Sequence, residues 1–164
     1  MRIAMKVNGV ARDVEIDERM LLAEVLRGPL GLKGTRIGCL TGDCGACTIL
    51  FNGELRKSCL MLAQAARDAD VQTIEHCSTE IDVVREAFVE AHGFQCGFCT
   101  SGMILVAAEL LNRDQEVSAA DIRQAISGNL CRCTGYDNIV VSIQNALARN
   151  SDQRNKMSQD SPAG

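Results

Sequence analysis

In the first half of the chain, apolar positions fall in short runs that are paired about Asn-Gly, which is the pattern of β-hairpins. Residues 3–7 and 10–16 predict one hairpin, and residues 47–51 and 54–58 predict a second one. Each pair of runs is separated by Asn-Gly, and both residues tolerate the positive φ of a type I′ turn. Between the hairpins, residues 20–27 carry leucine and valine at helical spacing. The first half is therefore predicted to be a small sheet with one short helix.

In the second half, apolar positions recur every three to four residues, which is typical of helices. One stripe covers residues 83–91, and residues 103–111 are apolar nearly all round, which predicts a helix buried on every side. Residues 118–121 have the pattern of a capping box and predict the start of a third helix. Residues 139–147 predict a fourth. Short connections between the four favour a compact bundle.

The change of period predicts an α+β protein of two domains. Hairpin, helix, hairpin and a last strand at residues 71–74 fit a β-grasp domain over residues 1–76, the fold of plant-type ferredoxins. A four-helix bundle is predicted over residues 77–149. Residues 150–164 are polar and aperiodic, and we expect them to form a disordered tail.

Composition argues against several classes of function. Hydrophobic residues make up 46% of the chain but aromatic residues only 3%, so a stacking platform for single-stranded nucleic acid is not expected. The net charge of −4 gives no basic footprint for a phosphate backbone. No apolar run reaches membrane-spanning length, and the N-terminus has no apolar signal region. We therefore expect a cytoplasmic protein that binds no nucleic acid and does not insert into membranes.

Eight of the nine cysteines fall into two quartets, spaced C-x4-C-x2-C-x11-C and C-x2-C-x31-C-x-C. Four thiolates hold a [2Fe–2S] cluster, and C-x4-C-x2-C is the plant-type ferredoxin spacing. In a reducing compartment, cysteine-rich sequence favours metal sites over disulfides. The sequence therefore predicts two [2Fe–2S] clusters. The first quartet is Cys39, Cys44, Cys47 and Cys59, and the second is Cys96, Cys99, Cys131 and Cys133.

Zinc is the main alternative to iron, because C-x2-C pairs are common in zinc sites. A zinc-stabilised interaction module would be colourless, and C-x-C and C-x4-C-x2-C are not usual zinc-ribbon spacings.

Cys77 lies outside both quartets and is interpreted as a free thiol. His76 and His92 are not needed as ligands, since cysteines fill all eight positions.

The surroundings of both quartets suit a cluster. Glycines interleave with the cysteines over residues 31–47, and they allow the backbone to approach and donate N–H groups to sulfur. In the second quartet, Cys99 and Cys133 are each followed by threonine and then glycine near a predicted helix start. We expect two helix N-termini to face each other there, where their free N–H groups and dipoles stabilise thiolates.

Three motifs resemble those of a known family. Residues 38–48 are similar to the N-terminal cluster motif of the molybdenum hydroxylases, and residues 95–100 and 128–136 are similar to their second cluster motif. The resemblance covers residues 2–149. On these motifs the chain resembles the separate small iron–sulfur subunit of the xanthine dehydrogenase/oxidase family.

The resemblance implies an electron-transfer subunit of a heteromeric molybdenum hydroxylase, not catalytic by itself. It implies a large subunit with a molybdopterin (molybdenum) cofactor and a medium subunit with FAD, assembled as a dimer of heterotrimers. Electrons would pass from molybdopterin through the second quartet's cluster and then the first quartet's cluster to FAD. Gln95 and Cys133 match family residues that face the molybdopterin. The implied substrate is an N-heterocycle or an aldehyde.

A free-standing two-cluster ferredoxin-like electron shuttle is the alternative function. A diffusible carrier has no need of a helical second domain with a pterin-facing Gln95, and a strongly charged docking face would be more typical of it. Co-purification with larger chains distinguishes the two functions.

Overall fold

A computed structural model describes residues 1–113 and 116–159 and places a five-stranded mixed sheet in the first half of the chain. The strands lie in the order β2-β1-β5-β3-β4, with β1 and β5 parallel and the other neighbours antiparallel. Their bounds are β1 Arg2–Val7, β2 Val10–Glu15, β3 Thr48–Phe51, β4 Glu54–Lys57 and β5 Asp70–Gln72.

Both predicted hairpins are present, and their turns explain the register. Asn8 and Gly9 have φ values of 51° and 83°, and Val7 pairs with Val10 across the turn. Asn52 and its following glycine repeat this geometry with φ values of 51° and 82°. Because such two-residue turns match the twist of antiparallel strands, they fix which residues face each other.

The short helix predicted at residues 20–27 is present as α1 (Leu22–Arg27). Its residues Leu22, Val25 and Leu26 are fully buried and share a core with the inward-facing residues of β1. The alternating burial along β1 places every second side chain in this core. Each such apolar side chain contributes about 1.5–3 kcal/mol on burial.

Helices dominate the second half, in a core separate from that of the sheet. Nine of the twelve residues of the helix that follows Cys99 are buried, which confirms the helix predicted to be apolar all round. Ser118 and Asp121 form the predicted capping box, since each side chain accepts a hydrogen bond from the other residue's backbone N–H. The bounds are α2 Thr79–Glu90, α3 Thr100–Leu111, α4 Ala119–Ala125 and α5 Asp137–Gln159.

Helix α5 extends ten residues into the segment for which the sequence predicts disorder. The side-chain amide of Asn150 and the guanidinium of Arg154 each donate to the carbonyl oxygen of Leu111 at 3.0 Å. Leu111 is the last residue of α3, whose terminal carbonyls lack partners within the helix. Polar contacts therefore hold the extension. Because such contacts need no apolar residues at helical spacing, the hydrophobic pattern does not predict them. Residues 160–164 of the predicted tail lie outside the described residues.

The sheet and the helices pack against each other through α3, which lies against β3 and β4. Leu55 of β4 and Ile74 contact the helical core. Helix α5 packs against α2, α3 and α4. Among the described residues, no helix combines the length and apolar character needed to cross a membrane.

Candidate iron–sulfur centres

The first quartet lies where the glycine-rich loop meets the sheet. Cys39 and Cys44 are half-buried on the loop, whereas Cys47, just before β3, and Cys59, just after β4, are buried. The N–H and hydroxyl of Ser58 donate to the carbonyl of Cys47 at 3.2 and 2.8 Å. These bonds continue the pairing of β3 with β4, so the sheet fixes two of the four thiols.

The four thiols of the first quartet are arranged as two contacting pairs. Cys39 is hydrogen-bonded to Cys44, and Cys47 to Cys59. The backbone N–H groups of Thr41 and Cys44 lie 3.4 and 3.5 Å from Cys39 Sγ, as donors. The quartet thus brings sulfur ligands and backbone donors together.

These contacts separate the acidities of the thiols. Hydrogen bonds from the Thr41 side chain and from the Cys44 and Thr41 backbone lower the pKa of Cys39 to about 6. Burial, followed by the contact with Cys47, raises the pKa of Cys59 to about 11. Cys39 is therefore better prepared than Cys59 to be a thiolate, the form that binds metal.

The second quartet combines two segments far apart in sequence. Cys96 and Cys99 precede α3, and Cys131 and Cys133 precede α5. The thiols again pair, with Cys96 Sγ 3.7 Å from Cys133 Sγ and Cys99 hydrogen-bonded to Cys131. Each pair therefore takes one thiol from each segment. Because either iron of a [2Fe–2S] cluster binds two protein ligands, two thiol pairs are the donor set such a cluster needs.

Hydrogen bonds and burial also separate the thiols of the second quartet. Burial, followed by the contact with Cys131, raises the pKa of Cys99 to about 12. Burial also acts to raise the pKa of Cys131, but hydrogen bonds from Thr134 and the backbone outweigh it and lower that pKa. The Thr134 hydroxyl donates to Cys131 Sγ at 3.1 Å.

The two sides of the second quartet differ, contrary to the expected symmetry. Cys99 is the N-cap of α3, as predicted, but α5 begins four residues after Cys133, at Asp137. Local bonds form the intervening turn, since the Tyr136 hydroxyl accepts from the N–H of Cys131 at 2.9 Å. A helix N-terminus therefore adjoins the quartet on the α3 side. On the α5 side, the hydroxyl groups of Thr134 and Tyr136 hydrogen-bond to Cys131 instead.

Other polar groups next to the quartets fit an inorganic cluster. The hydroxyl oxygens of Thr100 and Ser101, directly after Cys99, are buried without a hydrogen-bond partner. A cluster's sulfides are acceptors for such donors. Within the described ranges, no three His, Cys, Asp or Glu side chains form a group with single-ion geometry.

Comparisons with known proteins agree with this donor set. Residues 5–81 match the family of 2Fe-2S iron-sulfur cluster binding domains, and residues 73–144 match the [2Fe-2S] binding domain family. The chain is 46% identical to the caffeine dehydrogenase subunit gamma of a Pseudomonas species, over 87% of this chain and 88% of that one. It is 42% identical to the nicotine 6-hydroxylase small subunit of Paenarthrobacter nicotinovorans, over 89% of each chain.

A solved structure, quinoline 2-oxidoreductase from Pseudomonas putida 86, superposes with a TM-score of 0.87 at 40% identity. The match covers 93% of this chain and 96% of that one. The chain belongs to the family of small iron–sulfur subunits of molybdenum hydroxylases. The family resemblance of the three motifs is thus confirmed, and the subunit has two [2Fe–2S]-binding domains.

The remaining predicted site residues of this iron–sulfur subunit lie on one exposed edge. Gln95, Cys96 and Cys133 are exposed, and the contact between the two thiols joins the segments that carry them. Cys77 is exposed and lies in the connector before α2, outside both quartets. His92 is exposed with a φ of 53°, at the turn after α2.

The residues that join the two quartets were missed as functional residues by the sequence interpretation. The buried Asn129 donates from its side chain to the carbonyl of Gly45 at 3.0 Å, and the N–H of Leu130 donates to the carbonyl of Cys44 at 2.9 Å. A Cβ at Gly102 would lie 2.7 Å from the Asn129 amide nitrogen. Only glycine permits this approach. Their place inside the cysteine motifs was the one signal available in the sequence.

Proposed function

We propose that this chain is the electron-transfer subunit of a heteromeric molybdenum hydroxylase. It accepts electrons from a molybdopterin cofactor on a large subunit and passes them to FAD on a medium subunit. When bound, each [2Fe–2S] cluster supplies a one-electron carrier. The chain's own residues hold the clusters and fix their spacing. The chain alone performs no substrate chemistry.

The paired thiols are the observation that carries this proposal. From the contacts within the quartets, we assign two cysteines to each iron. The assignment gives the first cluster Cys39 with Cys44 and Cys47 with Cys59, and the second cluster Cys96 with Cys133 and Cys99 with Cys131.

The link between the quartets supports transfer within this one chain. Leu130, bonded through its N–H to the carbonyl of Cys44, is the covalent neighbour of Cys131. Two cysteines of different quartets are thus joined by one hydrogen bond and a few covalent bonds. Such a bridge keeps the two sites at a fixed separation.

The exposed edge formed by Gln95, Cys96 and Cys133 supports the order of the two sites. Exposed ligands can approach a cofactor on another subunit, so we assign this edge to the molybdopterin side. The first quartet is then on the FAD side. Gln95 would contact the pterin, and Cys133 would be the ligand closest to it.

The finer architecture and the assembly belong to the same proposal. We assign residues 1–76 to a β-grasp ferredoxin-like domain and residues 77–149 to a four-helix bundle, in a cytoplasmic dimer of heterotrimers. Caffeine, nicotine and quinoline, named for three relatives, are N-heterocycles, so a compound of this class is the first substrate to test, with aldehydes as the second.

Purification through a tag on this chain tests the proposal. We expect two larger chains, molybdenum, FAD, four iron atoms per copy of this chain and two distinct [2Fe–2S] EPR signals after reduction. A colourless product with zinc and no iron would overturn the assignment of the quartets. A brown two-cluster chain without larger partners would instead support the free electron shuttle.

A further inference from the structure

Lys57 lies at the junction of the two cluster-bearing halves. It is the last residue of β4, directly before Ser58 and Cys59, and its side chain is half-buried. Leu55, two residues earlier and therefore on the same face of the strand, packs against the helical core. The Lys57 side chain consequently points towards the helices and not into bulk solvent.

The ammonium group of Lys57 contacts one cysteine-bearing segment and lies beside the other. Its Nζ donates to the carbonyl of Gly42, inside the first quartet's loop. The backbone N–H of the same Gly42 donates to the Cys59 thiol. Nζ also lies 3.5 Å from the position that a Cβ on Gly128 would occupy, three residues before Cys131.

No carboxylate of the described residues forms an ion pair with Lys57. Its neighbour Arg56, in contrast, pairs with Glu54. Among the described residues, no ion-paired carboxylate therefore neutralises the positive charge of Lys57 at the junction. At a partly buried site this field is screened less than on an open surface.

We propose that Lys57 is a positioning residue that raises the reduction potential of the first cluster relative to the second. The inference rests on the proposed function, since it concerns the clusters assigned there. Reduction by one electron adds one negative charge to the site, and a fixed positive charge nearby stabilises it. Net charge and hydrogen bonds near the sulfurs are known levers on cluster potential. The closer contact, to the Gly42 carbonyl, is on the first quartet's loop.

Lys57→Gln in the complete complex tests the proposal, because glutamine keeps an N–H donor for Gly42 but removes the charge. In redox titrations followed by EPR, the ratio of reduced to oxidised first cluster at a fixed potential should fall about threefold to tenfold. Tenfold corresponds to about 59 mV for one electron. The potential of the second cluster should shift less. Lys57→Arg, which keeps the positive charge, should leave the potential of the first cluster at its wild-type value. Lys6→Gln, which removes an exposed lysine of β1, is the matched control.

An unchanged first-cluster potential in Lys57→Gln, with wild-type EPR intensity for both clusters, would overturn the inference.

If that variant fails to assemble its first cluster, Ala125→Glu decides the question. Ala125 and Lys57 line the same cavity of about 170 Å³, so the new carboxylate opposes the charge without removing lysine. It should lower the first-cluster potential relative to Ala125→Gln, and equal potentials would contradict the inference. Wild-type complex without either [2Fe–2S] signal would refute the proposed function instead.

Discussion

The side chain of Asn129 donates a hydrogen bond to the carbonyl of Gly45 at 3.0 Å, across 84 residues of sequence. The same amide lies 3.4 Å from the Thr48 hydroxyl, and its residue is 4% exposed. Gly45 belongs to the first quartet's loop, and Asn129 comes two residues before Cys131. One buried amide therefore joins the loops that carry both sets of thiols.

Asn129→Asp should destabilise this subunit more than Asn129→Ala. Alanine loses a hydrogen bond and some packing, about 1–3 kcal/mol, while the Gly45 carbonyl keeps its bonds from Thr48. Aspartate places a buried carboxylate oxygen against that carbonyl, which adds the cost of an unpaired charge. The temperature at which the visible absorbance of the clusters is lost measures the relative stability of the variants. Asn138→Asp, at an exposed asparagine, should leave this temperature unchanged. Equal effects of both Asn129 variants would contradict the prediction.

Gly102→Ala should prevent assembly of the second cluster, although alanine favours a helix over glycine by about 0.5–1 kcal/mol. The added Cβ would lie 2.7 Å from the Asn129 amide nitrogen and collide with the Gly45 carbonyl. Gly53→Ala is the comparison, because nothing lies within 4 Å of its Cβ position and only strain at a φ of +82° opposes it. Iron content and EPR intensity should fall only for Gly102→Ala. Full iron occupancy in Gly102→Ala would show that the segments around Asn129 and Gly45 can move apart to accept the added Cβ.

Cys47→Ser and Cys133→Ser should each damage one cluster and spare the other. The thiols pair within quartets, so a serine in one quartet leaves the four sulfurs of the other in contact. In Cys47→Ser, substrate should still reduce molybdenum and the second cluster, whereas in Cys133→Ser transfer should stop before both clusters. EPR of the substrate-reduced complex distinguishes the two variants. After chemical reduction with dithionite, which does not depend on transfer from molybdenum, each quartet variant should keep the signal of its intact cluster, and Cys77→Ser should keep both signals. Loss of both signals in either quartet variant after chemical reduction would argue against independent sites.

Asn150→Ala should loosen the C-terminal part of α5. The lost bond to the Leu111 carbonyl is worth about 0.5–1.5 kcal/mol, and it anchors a segment whose own sequence is polar. Hydrogen exchange should therefore become faster in residues 150–159 and stay unchanged in α2. Ser151→Ala serves as the control, because the Ser151 hydroxyl donates to the carbonyl of Leu147 in the same helix. Unchanged protection in Asn150→Ala would mean that this bond does not hold the segment.

Turn and capping residues made much of this fold predictable from the sequence. Contacts between segments far apart in the sequence could not be predicted. Asn-Gly pairs indicated both hairpins, and the Ser118–Asp121 spacing indicated the start of α4. The spacing of the cysteines placed them in quartets. The pairing of Cys96 with Cys133 depends on how the segments before α3 and α5 meet, and the bond from Asn129 to Gly45 depends on how the helical half packs against the first quartet's loop. No periodicity in the sequence predicts either contact.

The helix ends show the same division between local and distant effects. The start of α3 was predicted near Cys99 because the short segment after this cysteine leads into the apolar run of residues 103–111. The delayed start of α5 depends on Tyr136, which has a φ of 73° and accepts the N–H of Cys131. The extension of α5 depends on Asn150 meeting the end of another helix. Neither effect changes the hydrophobic pattern, so neither could be predicted from it.

In the iron-free chain, Cys39 should be alkylated by iodoacetamide at lower pH than Cys59 or Cys99. Its pKa is lowered to about 6, so Cys39 is mostly thiolate above pH 6 and loses reactivity as the pH falls through that value. The pKa values of Cys59 and Cys99 are raised to about 11 and about 12, so both remain thiols at pH 7.

Mass spectrometry of peptides after brief labelling between pH 5 and pH 9 measures this order. A short peptide with one free cysteine provides the reference for an ordinary thiol. Labelling of Cys39 only at the pH where this peptide reacts would show that the Thr41 and Cys44 donors do not act on its sulfur. Because those donors come from the loop itself, early labelling of Cys39 would also show that the loop holds its cluster-binding conformation before iron arrives.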